Sequence, residues 1–246
     1  MGVRIAVVSG GIGGLGTAIC IALAGAGCKV VAADLDHDRD RLATFARETV
    51  GLAVEFAALD VTDADACARL VAAIESEHGS LDILVNAAGI TRDGTLRKMD
   101  RAQWDAVLGV NLGGVFNLTR AAIDGMATRG FGRIVNISSV NGQTGQFGQT
   151  NYAAAKAGMH GFSMALAREV ARKGVTVNTI SPGYCETAMV LALPEAIRAD
   201  IVAQVPVGRL GQPREIARTV AFLAAEDAGF ITGANIAVNG GLFMSF

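Results

Sequence analysis

Short runs of apolar and β-branched residues alternate along this chain with longer stretches of helical periodicity. Several of the short runs are apolar at almost every position, which is typical of strands in a parallel sheet that is covered on both faces. The runs that predict strands are 3–9, 29–34, 53–60, 81–86, 132–138, 175–181 and 235–240. The stretches that predict helices lie near 14–26, 38–50, 63–78, 101–128, 151–173 and 213–226. This alternation predicts right-handed crossovers and a doubly wound α/β fold, with about seven parallel strands and helices on both faces.

The alternation continues along the whole chain, with no repeat, low-complexity tract or Pro/Ser-rich linker. We therefore expect residues 1–246 to form one domain. Asp63 and Pro213 lie where a helix cap and a first-turn proline are expected. The segment 184–212 interrupts the pattern, because it is a long amphipathic excursion between Gly183 and Pro213. Such a segment is either a mobile lid or a fixed helical insertion, and we favour the lid.

Composition argues against partners such as nucleic acids, membranes and metal ions. A formal net charge of -2 gives no electrostatic reason to expect nucleic acid or an anionic membrane as a partner. The apolar stretches are interrupted by Gly, Asp or Lys short of the ~18 residues that a membrane-spanning helix needs. The four cysteines and three histidines are scattered, without the spacing of a metal site or a disulfide framework. We predict a cytoplasmic protein with reduced thiols and no metal.

A glycine-rich loop, SGGIGGLG over 9–16, joins the first strand to the first helix. Glycine permits the tight turn and a close approach of the backbone to a pyrophosphate, which the helix N-terminus then binds. A glycine loop alone is also compatible with an ordinary βα turn, but its place on the first βα unit favours a dinucleotide. The residues expected to bind the cofactor here are Gly10, Ile12, Gly13, Gly14, Leu15 and Gly16.

Further polar residues end the next strands. Asp34 ends the second strand, where a carboxylate accepts both adenosine ribose hydroxyls of NAD and repels the 2′-phosphate of NADP. Asp60, followed by Val61, ends the third strand and is placed to accept from the adenine amino group. The fourth strand leads into Asn86, Ala87, Ala88 and Gly89, where small residues allow the cofactor to pack closely. NAD(H) is therefore favoured.

A tyrosine and a lysine lie four residues apart in TNYAAAKAG, at the start of the helix after the fifth strand. Taken alone, Tyr152 and Lys156 could be ordinary neighbours on one helix face, or a proton donor with the cation that tunes its pKa. Ser139 ends the fifth strand, and Asn111 lies in VNLGG on the preceding helix. Ser139 and Tyr152 both belong to the carboxyl edge of the sheet, where such folds bind ligands.

With these motifs the chain resembles the short-chain dehydrogenase/reductase family, over essentially its full length. The resemblance implies a Rossmann-type fold, NAD(H) or NADP(H) as cofactor and a homotetramer. It also implies that Tyr152 is the general acid in reduction, that Lys156 holds the nicotinamide ribose and lowers the Tyr152 pKa, that Ser139 polarises the carbonyl, and that Asn111 holds a relay water. Pro182, Gly183 and Thr187 would fix the nicotinamide end.

The substrate loop, NGQTGQFGQTNY over 141–152, carries neutral amide donors and Phe147 but no Arg or Lys. This composition argues against a free carboxylate substrate and suits a neutral carbonyl such as a thioester, although the loop could also be satisfying its own backbone. The loop is similar to that of bacterial 3-ketoacyl-thioester reductases, and most similar to reductases of acetoacetyl-CoA. That likeness implies an acyl-CoA or acyl-carrier-protein substrate, with an acyl pocket lined by Gln146, Phe147, Gln149 and Tyr184.

Three residues depart from the family pattern. Ser9 replaces a threonine, and Ala188 replaces an aspartate after Thr187. The third is Asp34, which favours NADH, whereas reductases of this group commonly use NADPH. Three alternatives remain open: a 3-oxoacyl-carrier-protein reductase of fatty-acid synthesis, a dehydrogenase of a polyol or small secondary alcohol, and a nucleotide-sensing protein without catalysis. The complete set of Asn111, Ser139, Tyr152 and Lys156 opposes the last alternative.

Overall fold

The computed structural model describes residues 2–245. Its strands form one seven-stranded sheet in the order β3-β2-β1-β4-β5-β6-β7, and every neighbouring pair is parallel. The strands are β1 Ile5–Ser9, β2 Lys29–Asp34, β3 Val54–Ala58, β4 Ile83–Asn86, β5 Gly132–Ile137, β6 Val175–Pro182 and β7 Asn235–Val238. This arrangement confirms the predicted Rossmann-type α/β fold.

The strand order reverses at β1, which lies between β2 and β4. Ser9 at the end of β1 is level with Ala33 on one side and with Asn86 on the other. In a doubly wound sheet this reversal opens a crevice at the carboxyl ends of the strands, where ligands bind. The polar residues that end the strands therefore converge on one edge.

Helices cover both faces of the sheet. They are α1 Gly14–Gly25, α2 Arg39–Glu48, α3 Ala64–His78, α4 Arg101–Leu108, α5 Gly114–Arg129, α6 Asn141–Thr144, α7 Thr150–Val170, α8 Ala188–Leu191, α9 Glu195–Gln204 and α10 Pro213–Ala224. Successive strand residues face opposite cores: Val8 packs with α1 and α10, whereas Val7 packs with α3 and α5. The near-continuous apolar strands of the sequence are thus explained by burial on both sides.

The predicted helix starts are confirmed. Asp63 caps α3 by accepting from the Ala66 amide at 2.9 Å, and Pro213 occupies the first turn of α10. Asp100 caps α4 in a reciprocal arrangement with Gln103. Each cap satisfies amides that have no partner inside the helix.

The helix predicted over 101–128 is not regular. Between α4 and α5 the chain makes a π-helical turn at Gly109–Gly113, and Asn111 is buried within it. Such turns insert one extra residue and are frequent at functional sites. By length and composition the run Arg101–Arg129 could cross a membrane. Leu118, Ala122 and Met126 of this run belong to the buried core. The apolar residues of the run therefore pack within the fold.

The segment 184–212 contains the short helices α8 and α9, separated at Pro194. Arg198 of α9 donates to the carbonyl oxygen of Leu191 in α8 at 2.9 Å. Leu191, Leu193 and Ile197 are exposed. An exposed apolar surface on a short helical excursion is compatible with the predicted lid.

Candidate functional site

The glycine loop is shaped to take an anion. Gly10 has φ of 67°, and a Cβ there would lie 2.8 Å from the Cα of Ala88. A Cβ at Gly16 would overlap the carbonyl oxygen of Gly10. Gly13 caps α1 without a side-chain hydrogen bond among the described residues, so the first-turn amides have no side-chain partner there. These features fit the pyrophosphate of a dinucleotide.

Asp34 closes the loop from the β2 side. Its Oδ2 accepts from the Ile12 amide at 3.3 Å, and its Oδ1 accepts from the Leu35 amide at 2.8 Å. The side chain of Asp34 is therefore fixed at the mouth of the glycine loop, where a ribose hydroxyl would meet it. Arg41, in the first turn of α2, also approaches this carboxylate, because its Nη2 lies 3.6 Å from Asp34 Oδ2. Arg41 thus brings a cation to the edge of the ribose position.

Asp60 lies in a tight turn after β3. Its Oδ1 accepts from the amide of Thr62 at 2.9 Å and from the Thr62 hydroxyl at 2.8 Å. Asp60 is exposed, whereas Val61 is buried. The carboxylate therefore faces solvent on the side of the crevice where the adenine was predicted, while Val61 anchors the turn.

Asn86 faces away from the crevice. Its side chain is buried, and its Nδ2 lies 2.8 Å from Asn136 Oδ1 and 3.2 Å from Thr119 Oγ1. The side chain thus cross-links neighbouring elements, so any contact of Asn86 with a cofactor falls to its backbone. The Ser9 hydroxyl accepts from the amides of Ala87 and Ala88 at 3.2 and 3.3 Å, so the hydroxyl that serine keeps in place of threonine holds this turn.

Lys156 and Asn111 converge on Gly89. A Cβ on Gly89 would lie 3.4 Å from Lys156 Nζ and 3.5 Å from Asn111 Oδ1. Asn111 donates to the carbonyl of Ile90 at 3.0 Å and accepts from its amide at 2.8 Å. This side chain therefore holds the 89–90 backbone. The π-helical turn places it there, and glycines 109, 113 and 114 are the sequence signal that could have indicated the irregularity.

Lys156 is held under the catalytic edge by its neighbours. It is 3% exposed, and its Nζ donates to the carbonyl of Ile137 at 2.8 Å. Ser138 donates to the carbonyl of Lys156 at 2.9 Å, which fixes α7 against the end of β5. The Nζ lies 5.5 Å from the centroid of the Tyr152 ring. The sequence-predicted pair therefore shares one face of α7.

Burial changes the protonation of both residues. It lowers the pKa of Lys156 from 10.5 to about 7. Burial also raises the pKa of Tyr152, and a hydrogen bond with the Ser139 side chain opposes that rise. Burial therefore outweighs the lowering of the Tyr152 pKa that was expected from Lys156. An amine with a pKa of about 7 is only partly charged at neutral pH, which weakens its effect on the phenol.

The substrate loop is tied to the loop after β4. Gln149 Oε1 accepts from Asn141 at 2.9 Å, and its Nε2 donates to Asp93 at 3.0 Å. The Gly94 amide donates to the carbonyl of Gly148 at 2.8 Å. Gln149 therefore joins the two walls beside Tyr152, in addition to its predicted place in the acyl pocket. Sequence reasoning missed Asp93, whose charge acts to raise the Tyr152 pKa.

The other predicted substrate residues surround the same edge. Gln146 is exposed and Phe147 is 87% exposed, so the loop presents an amide and an aromatic ring to solvent. Tyr184 is half-buried, and its charge when ionised would raise the Tyr152 pKa, which indicates that it lies nearby. Gln143 Oε1 is buried and has no hydrogen-bond partner among the described residues.

The residues predicted to hold the nicotinamide end follow β6. The Pro182 carbonyl accepts from the Val140 amide at 2.8 Å, which fixes the backbone near Ser139. A Cβ on Gly183 would lie 2.9 Å from the Cα of Asn239. Thr187 faces the glycine loop, because a Cβ on Gly14 would lie 3.3 Å from its Cγ2. The β6 end and the glycine loop thus border one crevice, as a dinucleotide requires.

Comparison with known proteins agrees with this geometry. Residues 10–243 match the family model described as enoyl-(acyl carrier protein) reductase. The acetoacetyl-CoA reductase of Allochromatium vinosum is 58% identical over 245 residues, which is 98% of this chain and 99% of the relative. The acetoacetyl-CoA reductase of Cupriavidus necator is 55% identical over 243 residues, 98% of each chain. The 3-oxoacyl-[acyl-carrier-protein] reductase of Escherichia coli is 45% identical over 241 residues, also 98% of each.

These matches span nearly the whole chain, and residues 10–243 contain the positions of the predicted tetrad. They confirm the resemblance drawn from the motifs, and they imply the use of a nicotinamide dinucleotide, NADH or NADPH. The chain belongs to the short-chain dehydrogenase/reductase family and is an oxidoreductase.

Proposed function

We propose that this enzyme reduces acetoacetyl-CoA to (R)-3-hydroxybutyryl-CoA with NADH. The main support is the 58% identity to a full-length acetoacetyl-CoA reductase. The site adds that Tyr152 and Ser139 lie beside a loop with neutral amides and an exposed phenyl ring, and with no Arg or Lys over 141–152. Such a loop suits an uncharged 3-ketoacyl thioester better than a carboxylate.

In the proposed mechanism the residues of α7 and β5 act on the ketone oxygen. The reduced nicotinamide supplies a hydride to the carbonyl carbon when it is bound. Ser139 Oγ donates a hydrogen bond to the carbonyl oxygen, and Tyr152 Oη donates the proton that this oxygen takes up. The raised pKa of Tyr152 keeps the phenol protonated before reaction. Lys156 Nζ, near neutrality in pKa, is suited to return a proton to Tyr152.

The preference for NADH rests on Asp34. Its carboxylate is fixed by the Ile12 and Leu35 amides at the position where the adenosine ribose would lie, and it would repel a 2′-phosphate. Arg41 at 3.6 Å offsets part of that charge, but its guanidinium is engaged by Asp34. We therefore expect NADH to be preferred and NADPH to be accepted weakly.

CoA is proposed over an acyl-carrier protein as the carrier of the substrate. An acidic carrier protein would need basic side chains to bind, but Arg129, a candidate for this role, is already bound within the chain. Its Nη1 donates to Glu75 and its Nη2 to the carbonyl of Leu81, both at 2.7 Å. The carrier-protein enzyme of Escherichia coli is also a more distant relative, at 45% identity.

The segment 184–212 is proposed as the lid. The four buried free cysteines support a cytoplasmic setting.

The test is the initial rate of NADH oxidation, and separately of NADPH oxidation, with acetoacetyl-CoA. We expect kcat/KM to be at least tenfold higher with NADH. The Asp34→Ala variant should lose that preference, because the residue that repels the 2′-phosphate is gone. Faster turnover with NADPH would reject the cofactor assignment while keeping the substrate.

A second assay separates the substrate alternatives. Acetoacetyl-CoA should be reduced faster than the same acyl group on a carrier protein, and polyols should not support NAD⁺ reduction. Oxidation of a polyol or small secondary alcohol without thioester turnover would instead favour the dehydrogenase alternative, which Asp34 alone would also permit.

A further inference from the structure

Helix α5 supports the turn that carries Asp60. Asn117 Nδ2 donates to the carbonyl of Val61 at 2.8 Å, and Cys67 Sγ lies 3.7 Å from the same oxygen. One turn before Asn117, a Cβ on Gly114 would lie 2.6 Å from Val61 Cγ2. The backbone of α5 is therefore in direct contact with Val61, and the Asn117 amide fixes the direction of its carbonyl.

The orientation of that carbonyl determines the position of the Asp60 carboxylate. The peptide that joins Val61 to Thr62 is planar, so its C=O and N–H point in opposite directions. Asn117 binds the C=O, and the N–H at the other side of this peptide donates to Asp60 Oδ1 at 2.9 Å. The Thr62 hydroxyl donates to the same oxygen at 2.8 Å. This relay holds Oδ1 and leaves Oδ2 of Asp60 to accept from a ligand.

We propose that Asn117 is a positioning residue for recognition of the adenine ring, acting through the Val61–Thr62 peptide on Asp60. The inference rests on the proposed binding of a dinucleotide with its adenine at Asp60. Without the Asn117 donor the peptide can rotate, and Asp60 loses the amide that orients it. The cost of ordering the turn then falls on cofactor binding, which lowers affinity without touching the reacting atoms.

The test compares two isosteric variants that each remove one amide donor. Asn117→Asp removes the bond to Val61, and the control Asn178→Asp removes an equal bond of 2.8 Å from Asn178 to the carbonyl of Ile231. Titration calorimetry on the apoprotein gives dissociation constants for NADH, ADP-ribose and reduced nicotinamide mononucleotide, which lacks the adenosine. Steady-state rates give kcat and the KM for acetoacetyl-CoA.

In Asn117→Asp we expect the dissociation constants of NADH and ADP-ribose to rise about tenfold, equivalent to ~1.4 kcal/mol. Affinity for the mononucleotide, kcat at saturating NADH and the KM of the thioester should stay within twofold. Asn178→Asp should leave all of these unchanged. If Asn117→Asp does not fold, Asn117→Ser is measured in the same way.

Two results would overturn the inference: unchanged ADP-ribose affinity in the Asn117 variant, or an equal loss of affinity for the mononucleotide. Asp60→Asn tests the underlying assignment separately. If that variant keeps full ADP-ribose affinity, adenine binding at Asp60 is wrong, whatever Asn117 does.

Discussion

At the scale of single residues, Tyr152 carries the chemistry in the proposed reaction. Removing its hydroxyl in Tyr152→Phe removes the proton donor and leaves the ring against Lys156. We expect kcat to fall 10²- to 10⁴-fold, the usual contribution of a positioned general acid. NADH affinity, measured by titration, should change less than twofold. A variant that kept full turnover would rule out Tyr152 as the acid.

Lys156 predicts a pH dependence of stability. Its folded pKa of about 7 lies below the ordinary 10.5, so between these values the unfolded state binds more protons and stability rises with pH. From pH 7 to pH 9 the free energy of unfolding should increase by about 2 kcal/mol through this residue. Urea titrations of the unliganded protein at fixed concentration measure the rise.

The comparison for this prediction is Lys156→Met, in which the contribution should be absent. The cysteines act in the opposite direction: burial raises the pKa of Cys20 to about 12 and that of Cys67 to about 11. The stability that the neutral thiols contribute begins to be lost as the pH approaches 9, and it is lost equally in both proteins, so the difference between the two slopes isolates Lys156. Equal slopes for the two proteins would show that Lys156 is not the group responsible.

At the scale of secondary structure elements, Arg133 joins β5 to the end of α10. It is 3% exposed, and its guanidinium donates to the carbonyls of Ala225 at 3.0 Å and Glu226 at 2.9 Å. It also donates to the carbonyls of Gly132 and Gly174 at 2.9 and 3.2 Å. Ala225 and Glu226 directly follow α10, so this planar fork of donors ties β5 to the turn that ends the helix.

Arg133→Met should therefore lower the free energy of unfolding by about 3 kcal/mol, because several buried carbonyls lose charged donors. Arg133→Lys should recover little of this, since one ammonium cannot replace the fork. Urea denaturation measures both. Arg120→Met, which removes only an exposed pair with Asp124, should cost less than ~0.5 kcal/mol. An equally large loss of unfolding free energy in Arg120→Met would show that the effect of Arg133→Met does not come from its buried hydrogen bonds.

The elements also show what the sequence could and could not predict. Burial on both faces makes the strands apolar at almost every position. All seven strands were therefore predicted from the sequence, with ends displaced by up to two residues. The π-helical turn at Asn111 was missed because the periodicity over 101–128 predicts one continuous helix, and glycines 109, 113 and 114 are the local signal of the break. The direction of a side chain is likewise not encoded locally: Asn86 at a strand end was predicted to bind the cofactor, and its side-chain amide donates inside the sheet, which leaves its backbone for that role. The engagement of Arg41 by Asp34 depends on a contact across the loop, which no local pattern encodes.

At the scale of the whole molecule, one sheet edge collects residues from distant parts of the chain. The glycine loop, Asp34, Asp60 and the β6 end border a single crevice because parallel strands all present their carboxyl ends to it. Helix α5 extends this coupling, since the π-helical turn before it holds the 89–90 backbone through Asn111, and the helix holds the adenine-side turn through Asn117. The positions proposed for catalysis and for the adenine thus depend on the same element.

The family resemblance implies a homotetramer, and we propose the outer face of α7 as one of its contacts. Small residues repeat along its exposed side at helical spacing, namely Ala154, Ala157, Gly161 and Ala165. Small side chains permit two helix backbones to approach closely, so this face suits packing against α7 of a second copy. The same helix presents Tyr152 and Lys156 on its other side, and packing of this kind would hold the catalytic pair on a rigid support.

Ala157→Arg should break that contact, because two guanidinium groups would be forced together at the centre of the helix pair. We expect light scattering after size exclusion to give four times the chain mass for the natural protein and half of that for the variant. Ala73→Arg, on the exposed side of α3, should leave the mass unchanged. An Ala157→Arg protein that kept the mass of four chains would place the interface elsewhere, whereas a smaller assembly with reduced kcat would show that catalysis depends on the packing of α7.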